Sequence, residues 1–494
     1  MAERPNIVVL FADDMGYSDI GCYGSEISTP NLDRMAAEGL RFSQFYTTPR
    51  CCPSRASLLT GLYPHQAGIG HMMGDWGKPG YRGFLNDRCA TIAEVLRLAG
   101  YRTLMSGKWH VGEQRPHWPC DRGFDQYAGL ISGASNYWRL SERRTMAINN
   151  EPFVPDEDGF YMTDFITDRA VEFIEKYGRE EKPFFLYVSY TAPHWPLHAW
   201  PEDIERYRGK YLRGWDALRA ERLERQLAMG LIREDWPLTP RDESAPAWDE
   251  VPARERESLD LKMAVYAAQI DRMDQGIGRI LAKLAELGIE GDTVVMFLSD
   301  NGGCAEEIRS GDPEAEIGTP DSYVSYGLPW ANASNTPFRL YKHWVHEGGI
   351  ATPFIVRWPA GLVEPGRTTH GVAHIMDIMP TCLELAGAEH PPEVDGRPVL
   401  PPEGQSFVPL LKNASNWERN VVFWEHEGNK AVRQGRWKLV CKFPGQWELY
   451  DMEAGRTELE DLIEHHTEKA DELAALYEPW ARRSCVEPWP VKKD

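Results

Sequence analysis

Short runs of apolar residues alternate along the chain with amphipathic segments of helical spacing. The run at 6–11 (Asn-Ile-Val-Val-Leu-Phe) is typical of a strand buried on both faces. Similar patterns predict further strands at 42–46, 102–105, 184–190 and 293–298. Apolar positions three and four residues apart predict helices near 30–40, 91–98, 161–177 and 259–287. This alternation indicates an α/β fold with a large, mostly parallel sheet flanked by helices.

The pattern changes in two places. Residues 198–253 are rich in Trp, Arg and Glu and contain a helical spacing at 215–231, which predicts a helical insertion. After a Pro-rich passage at 391–409, short strands are predicted at 421–425, 430–433, 436–442 and 447–450, followed by a helix at 467–480. We therefore expect a large domain of residues 1–412 and a C-terminal α+β subdomain of residues 413–494, built from a smaller antiparallel sheet plus a helix.

Polar clusters follow four of the predicted strands. They are Asp13-Asp14, Lys108 with His110, His194, and Asp300-Asn301. Because parallel sheets bind ligands beyond the carboxyl ends of their strands, we expect these clusters to meet at one edge. The oxygen ligands among them (Asp13, Asp14, Asp300 and Asn301) suit a hard cation such as Ca²⁺ or Mg²⁺. A cation would also relieve the repulsion between the carboxylates.

The segment 51–63 is predicted to form a short helix with Cys51 at its N-terminus. Pro53 suits the first turn of a helix, and Gly61 suits its end. The N-terminus of a helix presents free N–H groups and a positive potential, and Arg55 adds a cation one turn further on. This end of the helix therefore favours an anion, or an oxygen nucleophile that attacks one.

Composition limits the partners and the compartment. The 54 basic and 75 acidic residues give a formal charge of −21, which argues against nucleic acid or an anionic membrane as the main partner. No apolar stretch is long enough to span a bilayer. The nine scattered cysteines suit a reducing compartment, and the first four residues lack the apolar run of a secretory signal. We expect a cytoplasmic protein, or a periplasmic one if a leader has been removed.

Several motifs together resemble the type I sulfatases. Cys51 to Gly61 reads Cys-Cys-Pro-Ser-Arg-Ala-Ser-Leu-Leu-Thr-Gly, which is similar to the family signature. The other motifs follow in the family's order: Phe-Ala-Asp-Asp-Met-Gly-Tyr-Ser-Asp at 11–19, Gly-Lys-Trp-His at 107–110, Ala-Pro-His at 192–194, Ser-Asp-Asn-Gly-Gly at 299–303, Lys342 with Glu-Gly-Gly at 347–349, and Leu-Tyr-Asp at 449–451. The resemblance runs from about residue 5 to about residue 480.

The resemblance implies a fold similar to alkaline phosphatase and a catalytic domain that holds one Ca²⁺. The resemblance also implies that a formylglycine-generating enzyme, as a transient partner, converts Cys51 into Cα-formylglycine. The metal would be held by Asp13, Asp14, Asp300, Asn301 and this modified Cys51. One hydroxyl of the aldehyde hydrate would attack the sulfur of a small-molecule sulfate ester. The other hydroxyl would then expel sulfate and regenerate the aldehyde.

The same resemblance implies roles for the remaining polar residues. Arg55 and Lys108 would hold the hydrate and the developing negative charge. His110 is the candidate base for the elimination, and His194 is the candidate acid for the leaving oxygen. Lys342 would bind the sulfate oxygens, a role that the neighbouring His343 could share.

Several functions remain open at this point. Aryl sulfates are the favoured substrates, and sulfated carbohydrates are the alternative. A phosphate or phosphonate ester hydrolase of the same superfamily is a second alternative, although Asn301 argues against it because such relatives tend to have His at this position. If Cys51 is unmodified, the chain could be a non-catalytic binder of sulfated glycans. Trp138, Trp195 and Trp344 could line an aromatic pocket. The sequence fixes neither the natural leaving group nor the oligomeric state.

Overall fold

The strands of the protein belong to one large sheet and three small ones. In the computed structural model, which describes residues 4–414 and 417–492, the strands are β1 (Asn6–Asp13), β2 (Leu40–Tyr46), β3 (Arg102–Gly107), β4 (Gln126–Leu130), β5 (Met146–Ile148), β6 (Glu151–Phe153), β7 (Phe184–Pro193), β8 (Thr293–Ser299), β9 (Arg309–Gly311), β10 (Ser322–Val324), β11 (Ala351–Arg357), β12 (Arg367–Thr369), β13 (Ala373–His374), β14 (Glu393–Val394), β15 (Arg397–Pro398), β16 (Val422–His426), β17 (Asn429–Gln434), β18 (Trp437–Cys441) and β19 (Trp447–Asp451).

The helices lie mainly between these strands. They are α1 (Pro30–Ala37), α2 (Cys51–Thr60), α3 (Ile92–Leu98), α4 (Met162–Tyr177), α5 (Pro201–Glu205), α6 (Gly214–Ala228), α7 (Ala253–Glu286), α8 (Leu328–Ser334), α9 (Glu347–Ile350), α10 (Ile378–Ala386), α11 (Val408–Leu411) and α12 (Thr467–Arg483). The predicted insertion at 198–253 contains α5 and α6. Within the described ranges, no helix combines the length and the apolar character needed to cross a bilayer.

The large sheet has the strand order β12-β2-β11-β8-β1-β7-β3-β4-β5-β6, with β13 also paired to β2. Its centre, β8-β1-β7-β3-β4, is parallel throughout. β11 runs antiparallel between β2 and β8, and β5 and β6 add an antiparallel edge. The prediction of a mostly parallel sheet is therefore confirmed, although the sequence pattern did not reveal the strands β4, β5, β6, β11, β12 and β13.

Both faces of the large sheet are buried. Successive residues of β1 alternate between two apolar cores: Val8 and Leu10 pack with α4 and α7, whereas Ile7, Val9 and Phe11 pack with α2, α3 and α10. A strand covered on both sides needs apolar residues at every position, which explains the uninterrupted run at 6–11. The two helical layers leave the carboxyl edge of the sheet as the open place for polar side chains.

The C-terminal strands form a separate antiparallel sheet in the order β16-β17-β18-β19. α12 packs on this sheet through an apolar face that includes Leu473, Tyr477 and Trp480. The predicted smaller sheet with one helix is thus confirmed. The division of the chain at residue 412 into two domains stays a prediction.

Candidate active site

The carboxyl ends of four parallel strands bring the predicted polar clusters to one edge of the sheet. β1 ends in Asp13 and continues with Asp14, and its neighbour β8 is followed by Asp300 and Asn301. On the other side of β1, β7 precedes His194, and the next strand, β3, precedes Lys108 and His110. α2 and the loop before α9 add Cys51, Arg55 and Lys342. These side chains are almost entirely buried.

The local backbone explains why these residues face the centre. The left-handed conformation of Gly61, with φ 68°, ends α2, and its N–H donates to Ser57. Asp14 and His110 have φ values of 64° and 56°, in the left-handed region that non-glycine residues seldom adopt. Such backbone is found mainly where the surroundings hold a functional side chain in place. Both residues thereby turn into the site directly after their strands.

The acidic residues leave acceptor oxygens without donors. The Asp14 N–H donates to Asp300 Oδ1 at 2.9 Å, and Asn301 Nδ2 donates to Asp14 Oδ1 at 2.7 Å. Within the described part of the chain, however, Asp13 Oδ1, Asp300 Oδ2 and Asn301 Oδ1 are buried and have no hydrogen-bond partner. Ligand atoms of Asp13, Asp300 and Cys51 lie within 4.8 Å of one another. Buried oxygens without donors are unfavourable unless a cation or a water molecule binds them.

The pKa values show the same crowding of negative charge. Burial raises the pKa of Asp300 well above its usual value, and the nearby charges of Asp13 and Asp14 raise it further. Burial also raises the pKa of Asp13, but the cations Lys108 and Arg55, together with His194, more than offset this and leave the value below its usual range. The carboxylate of Asp300 therefore lacks a sufficient positive partner among the side chains.

Arg55 and Lys108 form the cationic wall beside these carboxylates. Lys108 Nζ lies 2.5 Å from Asp13 Oδ2, and Arg55 Nη2 lies 3.4 Å from the same oxygen and 3.9 Å from Asp300 Oδ2. Arg55 Nη1 donates to the Lys108 carbonyl at 2.9 Å and to the Ser189 hydroxyl. The Arg55 guanidinium also lies 5.1 Å from the centre of the Phe11 ring. These contacts fix two positive groups on one side of Cys51.

Cys51 occupies the N-terminus of α2 and faces His110. Its Sγ lies 3.6 Å from His110 Nδ1. A hydrogen bond from Cys52 lowers the pKa of the Cys51 thiol well below its usual value; burial opposes this shift, while Lys108 and His110 add to it. Burial lowers the pKa of His110 to about 4, so its imidazole is neutral near pH 7. A neutral imidazole in this position can accept a proton from a group at residue 51.

His194 and Lys342 close the opposite side around Asp14. Lys342 Nζ lies 2.8 Å from Asp14 Oδ2, and His194 Nε2 lies 3.3 Å from the same oxygen and 3.4 Å from Lys342 Nζ. His194 Nδ1 is 2.6 Å from the Trp195 carbonyl, so this nitrogen carries the proton and Nε2 faces the site. His343 does not reach this centre, because its Nδ1 lies 3.1 Å from Glu427 instead.

A cavity of about 320 Å³ opens over these residues. Cys51, His110, His194 and Lys342 line its floor, and the walls include Arg50, Met72, Met73, Glu113, Arg144, Trp195 and Glu306. Sequence patterns did not identify most of these wall residues, since they lie in irregular loops. Of the three tryptophans considered above, Trp195 lines this cavity, whereas Trp138 lines a separate apolar pocket and Trp344 packs against His343.

Further residues that the sequence patterns did not identify make contacts within and around the site. Ser189 accepts the hydrogen bond from Arg55, and a serine inside the apolar run of β7 was the available signal. The Sγ of Cys52, which follows Cys51 in α2, lies 3.4 Å from both ring nitrogens of His110. Glu306 pairs with Arg50 at 3.2 Å and accepts a hydrogen bond from Trp195 Nε1 at 2.9 Å.

Comparisons with known proteins identify similar chains. The model of the family described as Sulfatase matches residues 5–388, and that described as N-sulphoglucosamine sulphohydrolase, C-terminal, matches residues 338–478. An uncharacterised sulfatase of Schizosaccharomyces pombe is 37% identical, covering 89% of this chain and 86% of the relative. An arylsulfatase of Klebsiella aerogenes is also 37% identical, covering 82% and 91%. The crystal structure of Ps i-CgsB in complex with k-i-k-neocarrahexaose superimposes with a TM-score of 0.74 at 25% identity, covering 98% and 94% of the two chains.

Proposed function

The chain belongs to the sulfatase family and is a sulfuric ester hydrolase, and we propose that it acts on aryl sulfates through Cα-formylglycine at position 51 with Ca²⁺ beside it. The observation that carries this proposal is the set of three buried oxygens without donors, next to Cys51 and opposite Arg55 and Lys108. This arrangement suits a divalent cation and an anionic ester bound side by side.

The residues present fit a hard cation. Asp13, Asp300 and Asn301 would hold it through the oxygens that have no donors, and they offer no imidazole or additional thiol that would favour a softer metal. Asp14 would approach as a further ligand, although both its oxygens already accept hydrogen bonds. When bound, Ca²⁺ supplies positive charge that orients a sulfate group and stabilises the negative charge that develops on it.

Cys51 lies close to the base and the cations that a nucleophile at this position would need. The hydrate of formylglycine supplies two hydroxyl groups on one carbon, one to attack the sulfur and one to expel sulfate afterwards. His110, with its neutral imidazole 3.6 Å from the residue 51 side chain, would accept the proton during that elimination. Lys108 and Arg55 would hold the hydroxyl groups and offset the developing charge.

The other side of the cavity would bind the ester group. Lys342 Nζ, held by Asp14, would bind the sulfate oxygens. His194 would donate a proton from Nε2 to the leaving oxygen, because its Nδ1–H is already engaged with the Trp195 carbonyl. Protonation of the leaving group matters most when the alcohol is a poor leaving group, so His194 would contribute less for activated phenols.

Two observations favour different leaving groups. Met72, Met73 and Trp195 give the cavity an apolar part that suits an aromatic ring, and the relative from Klebsiella aerogenes is an arylsulfatase. Arg144, Glu113 and Glu306 add polar groups, and the similar structure of Ps i-CgsB contains a carbohydrate ligand. Sulfated carbohydrates are therefore the second candidate substrate, to be separated from aryl sulfates by comparing kcat/KM across a panel of both.

The central test compares 4-nitrophenyl sulfate with the corresponding phosphate and phosphonate esters. Chain co-expressed with a formylglycine-generating enzyme should hydrolyse the sulfate with the highest kcat/KM, and a mass measurement should find formylglycine in the peptide that carries Cys51. Cys51→Ala should be inactive and folded. Cys382→Ala is the matched control, since Cys382 is another buried cysteine that lies on α10 and does not line the cavity. Faster phosphonate hydrolysis would favour the phosphonate ester alternative, and an active chain with unmodified Cys51 would refute the mechanism.

A chain that binds sulfated glycans without turnover is the remaining alternative. It predicts binding to sulfated oligosaccharides that does not depend on the conversion of Cys51. Measuring both turnover and binding for wild type and Cys51→Ala separates this possibility, because a sulfatase loses only turnover when the modified residue is removed, whereas a binder has none to lose.

A further inference from the structure

A second cluster of potential metal ligands lies beside the active-site cavity. It consists of His343, which follows Lys342, and of His426 and Glu427 at the turn between β16 and β17. One ligand atom from each of these residues lies within 4.8 Å of the other two. We propose that they bind one Zn²⁺ ion, at a site separate from the oxygen ligands at the ends of β1 and β8. This proposal does not depend on the sulfatase mechanism.

The distances between the candidate ligand atoms suit a tetrahedral metal. Ligand atoms about 2.0–2.1 Å from Zn²⁺ lie roughly 3.4 Å apart in a tetrahedron. His343 Nδ1 lies 3.1 Å from Glu427 Oε2, and His426 Nε2 lies 3.6 Å from Glu427 Oε1. The two histidines face different oxygens of Glu427, so one ion would be held by both carboxylate oxygens, or by one of them after the side chains shift. His343 and Glu427 are partly exposed, so water can enter as the fourth ligand.

His426 is the residue that points most directly to a ligand. Its side chain is almost completely buried, and within the described residues neither ring nitrogen has a hydrogen-bond partner. Burying a polar group without a partner is unfavourable. Coordination through Nε2 would satisfy one of the two nitrogens. The contact between His343 Nδ1 and Glu427 Oε2 does not provide this, because it leaves His426 out.

His71 adds support from behind the carboxylate. Its Nε2 lies 2.6 Å from Glu427 Oε1, and its ring stacks on that of His426 with centroids 5.6 Å apart and an angle of 15°. His71 therefore orients the carboxylate, in the way that residues behind metal ligands commonly do, and we treat it as a positioning residue. It also packs against Trp489 on its outer side.

The ligand types select the metal. Imidazole nitrogens favour Zn²⁺ and its neighbours in the transition series over Ca²⁺ or Mg²⁺, which prefer oxygen. On binding, each coordinating nitrogen donates its lone pair to Zn²⁺, and any proton it carries is released to water. The cluster thus differs in preference from Asp13, Asp300 and Asn301, so the two sites can be distinguished by metal.

Binding at this cluster would connect three segments that border the cavity. His71 precedes Met72 and Met73 of the cavity wall, and His343 follows Lys342 of its floor. The His343 N–H also donates to the Pro49 carbonyl at 2.7 Å, two residues before Cys51. A metal held by His343 and by the β16–β17 turn would fix the C-terminal sheet against this part of the cavity.

The test measures Zn²⁺ retention by the full-length chain. The protein is stripped with a chelator, reloaded with Zn²⁺ in an excess of Ca²⁺ and dialysed, and its metal content is determined by elemental analysis. Wild type should retain one Zn²⁺ per chain. His343→Gly should lose it and still fold, because glycine accepts the φ of 91° at this position. His426→Gln should also lose it, and His71→Phe should weaken affinity roughly 10- to 100-fold.

Asp395→Gly is the matched control. Asp395 is an exposed residue outside the cluster that, like His343, has a positive φ, here 49°, so this variant makes the same backbone change without removing a candidate ligand. It should retain Zn²⁺ as wild type does. Co²⁺ in place of Zn²⁺ should give the intense visible absorption of a tetrahedral site in wild type and in Asp395→Gly alone. Equal Zn²⁺ retention by wild type and His343→Gly, or loss of Zn²⁺ only in Asp300→Asn, would refute the site.

Discussion

Glu347 connects the C-terminal sheet to the rest of the protein. Replacing it should therefore destabilise the C-terminal strands more than the rest of the chain. The side chain is fully buried, with Lys438 Nζ of β18 at 2.9 Å from Oε1 and Arg456 Nε at 2.7 Å from Oε2. The Tyr46 hydroxyl, at the end of β2, also donates to Oε2 at 2.9 Å. Lys438 further pairs with Glu458 at 2.7 Å. The substitution Glu347→Gln keeps the shape and removes the charge.

The cost of this substitution can be worked out in two ways. Removing one partner of a buried ion pair typically costs about 3–5 kcal/mol. Burial alone raises the pKa of Glu347, but Lys438 and Arg456 lower it further than burial raises it, to about 2 from the usual 4.5. A shift of this size corresponds to about 3 kcal/mol at neutral pH. Both routes give about 3 kcal/mol for Glu347→Gln.

Native-state hydrogen exchange is the suitable assay, because it reports the opening free energy of the C-terminal strands separately from the rest. In the regime where exchange follows the opening equilibrium, amides of β17 and β18 should exchange on the order of 100-fold faster in Glu347→Gln than in wild type. Since the folded pKa is lowered, the stabilisation is present above pH 4.5 and is lost as pH falls towards 2. The ratio of the exchange rate in Glu347→Gln to that in wild type should therefore be roughly fourfold smaller at about pH 4 than at pH 7.

Glu472→Gln on α12 is the matched control, because Glu472 pairs with Lys469 at 2.9 Å on the protein surface. Surface pairs contribute about 0–1 kcal/mol, so this variant should change exchange by no more than about fivefold. Exchange in Glu347→Gln that stays within that same range, or a ratio that does not shrink at low pH, would show that the buried charge of Glu347 does not hold the C-terminal sheet in place.

Three further predictions concern the site itself. Asp300→Asn, or treatment with a Ca²⁺ chelator, should lower kcat by about 10²- to 10³-fold, with activity restored to the chelated wild type by Ca²⁺; full activity in either case would contradict the metal site. His110→Gln should lower kcat roughly 10²- to 10⁴-fold with a small change in KM, and an unchanged kcat would remove its role as base. Gly107→Ala should lower the free energy of unfolding, measured by chemical denaturation, by about 2 kcal/mol or more. The Cβ of the alanine would lie 1.9 Å from the Ser189 carbonyl oxygen, and alanine rarely adopts the φ of 110° found at this position. A free energy of unfolding equal to that of the wild type would contradict this prediction.

The parts of the fold that sequence could predict are those governed by local pattern. β1 and β7 were recognisable because strands covered on both faces are apolar throughout, and α2 because Gly61 ends it. β5 and β6, with three residues each, are too short for any period to show. β11 has a longer apolar run, but its antiparallel pairing with β2 and β8 depends on contacts far apart in the chain.

The same distinction applies to the site. Residues directly after strands could be predicted, because parallel strands deliver their ends to one edge whatever the loops do. The residues of the cavity wall could not be predicted. Arg50 and Glu306, for example, form an ion pair at 3.2 Å although they lie about 250 residues apart in the chain, and neither belongs to a distinctive motif. Glu347 belongs to a motif that resembles one of the sulfatases. Its contacts nevertheless connect β18 to β2 of the main sheet and do not involve Cys51.

The charges of the site give a reason why the proposed metal would matter for an anionic substrate. When ionised, the carboxylates of Asp13, Asp14 and Asp300 balance the cations Arg55, Lys108 and Lys342 beside them, and the proton that His194 would donate adds only one further positive charge. The side chains alone therefore provide little net attraction for an ester in a chain with a formal charge of −21. A divalent cation among the carboxylates would leave the cations in excess. Inorganic sulfate should accordingly inhibit by binding the Ca²⁺-loaded chain more tightly than the chelated chain, and equal affinity would contradict this balance.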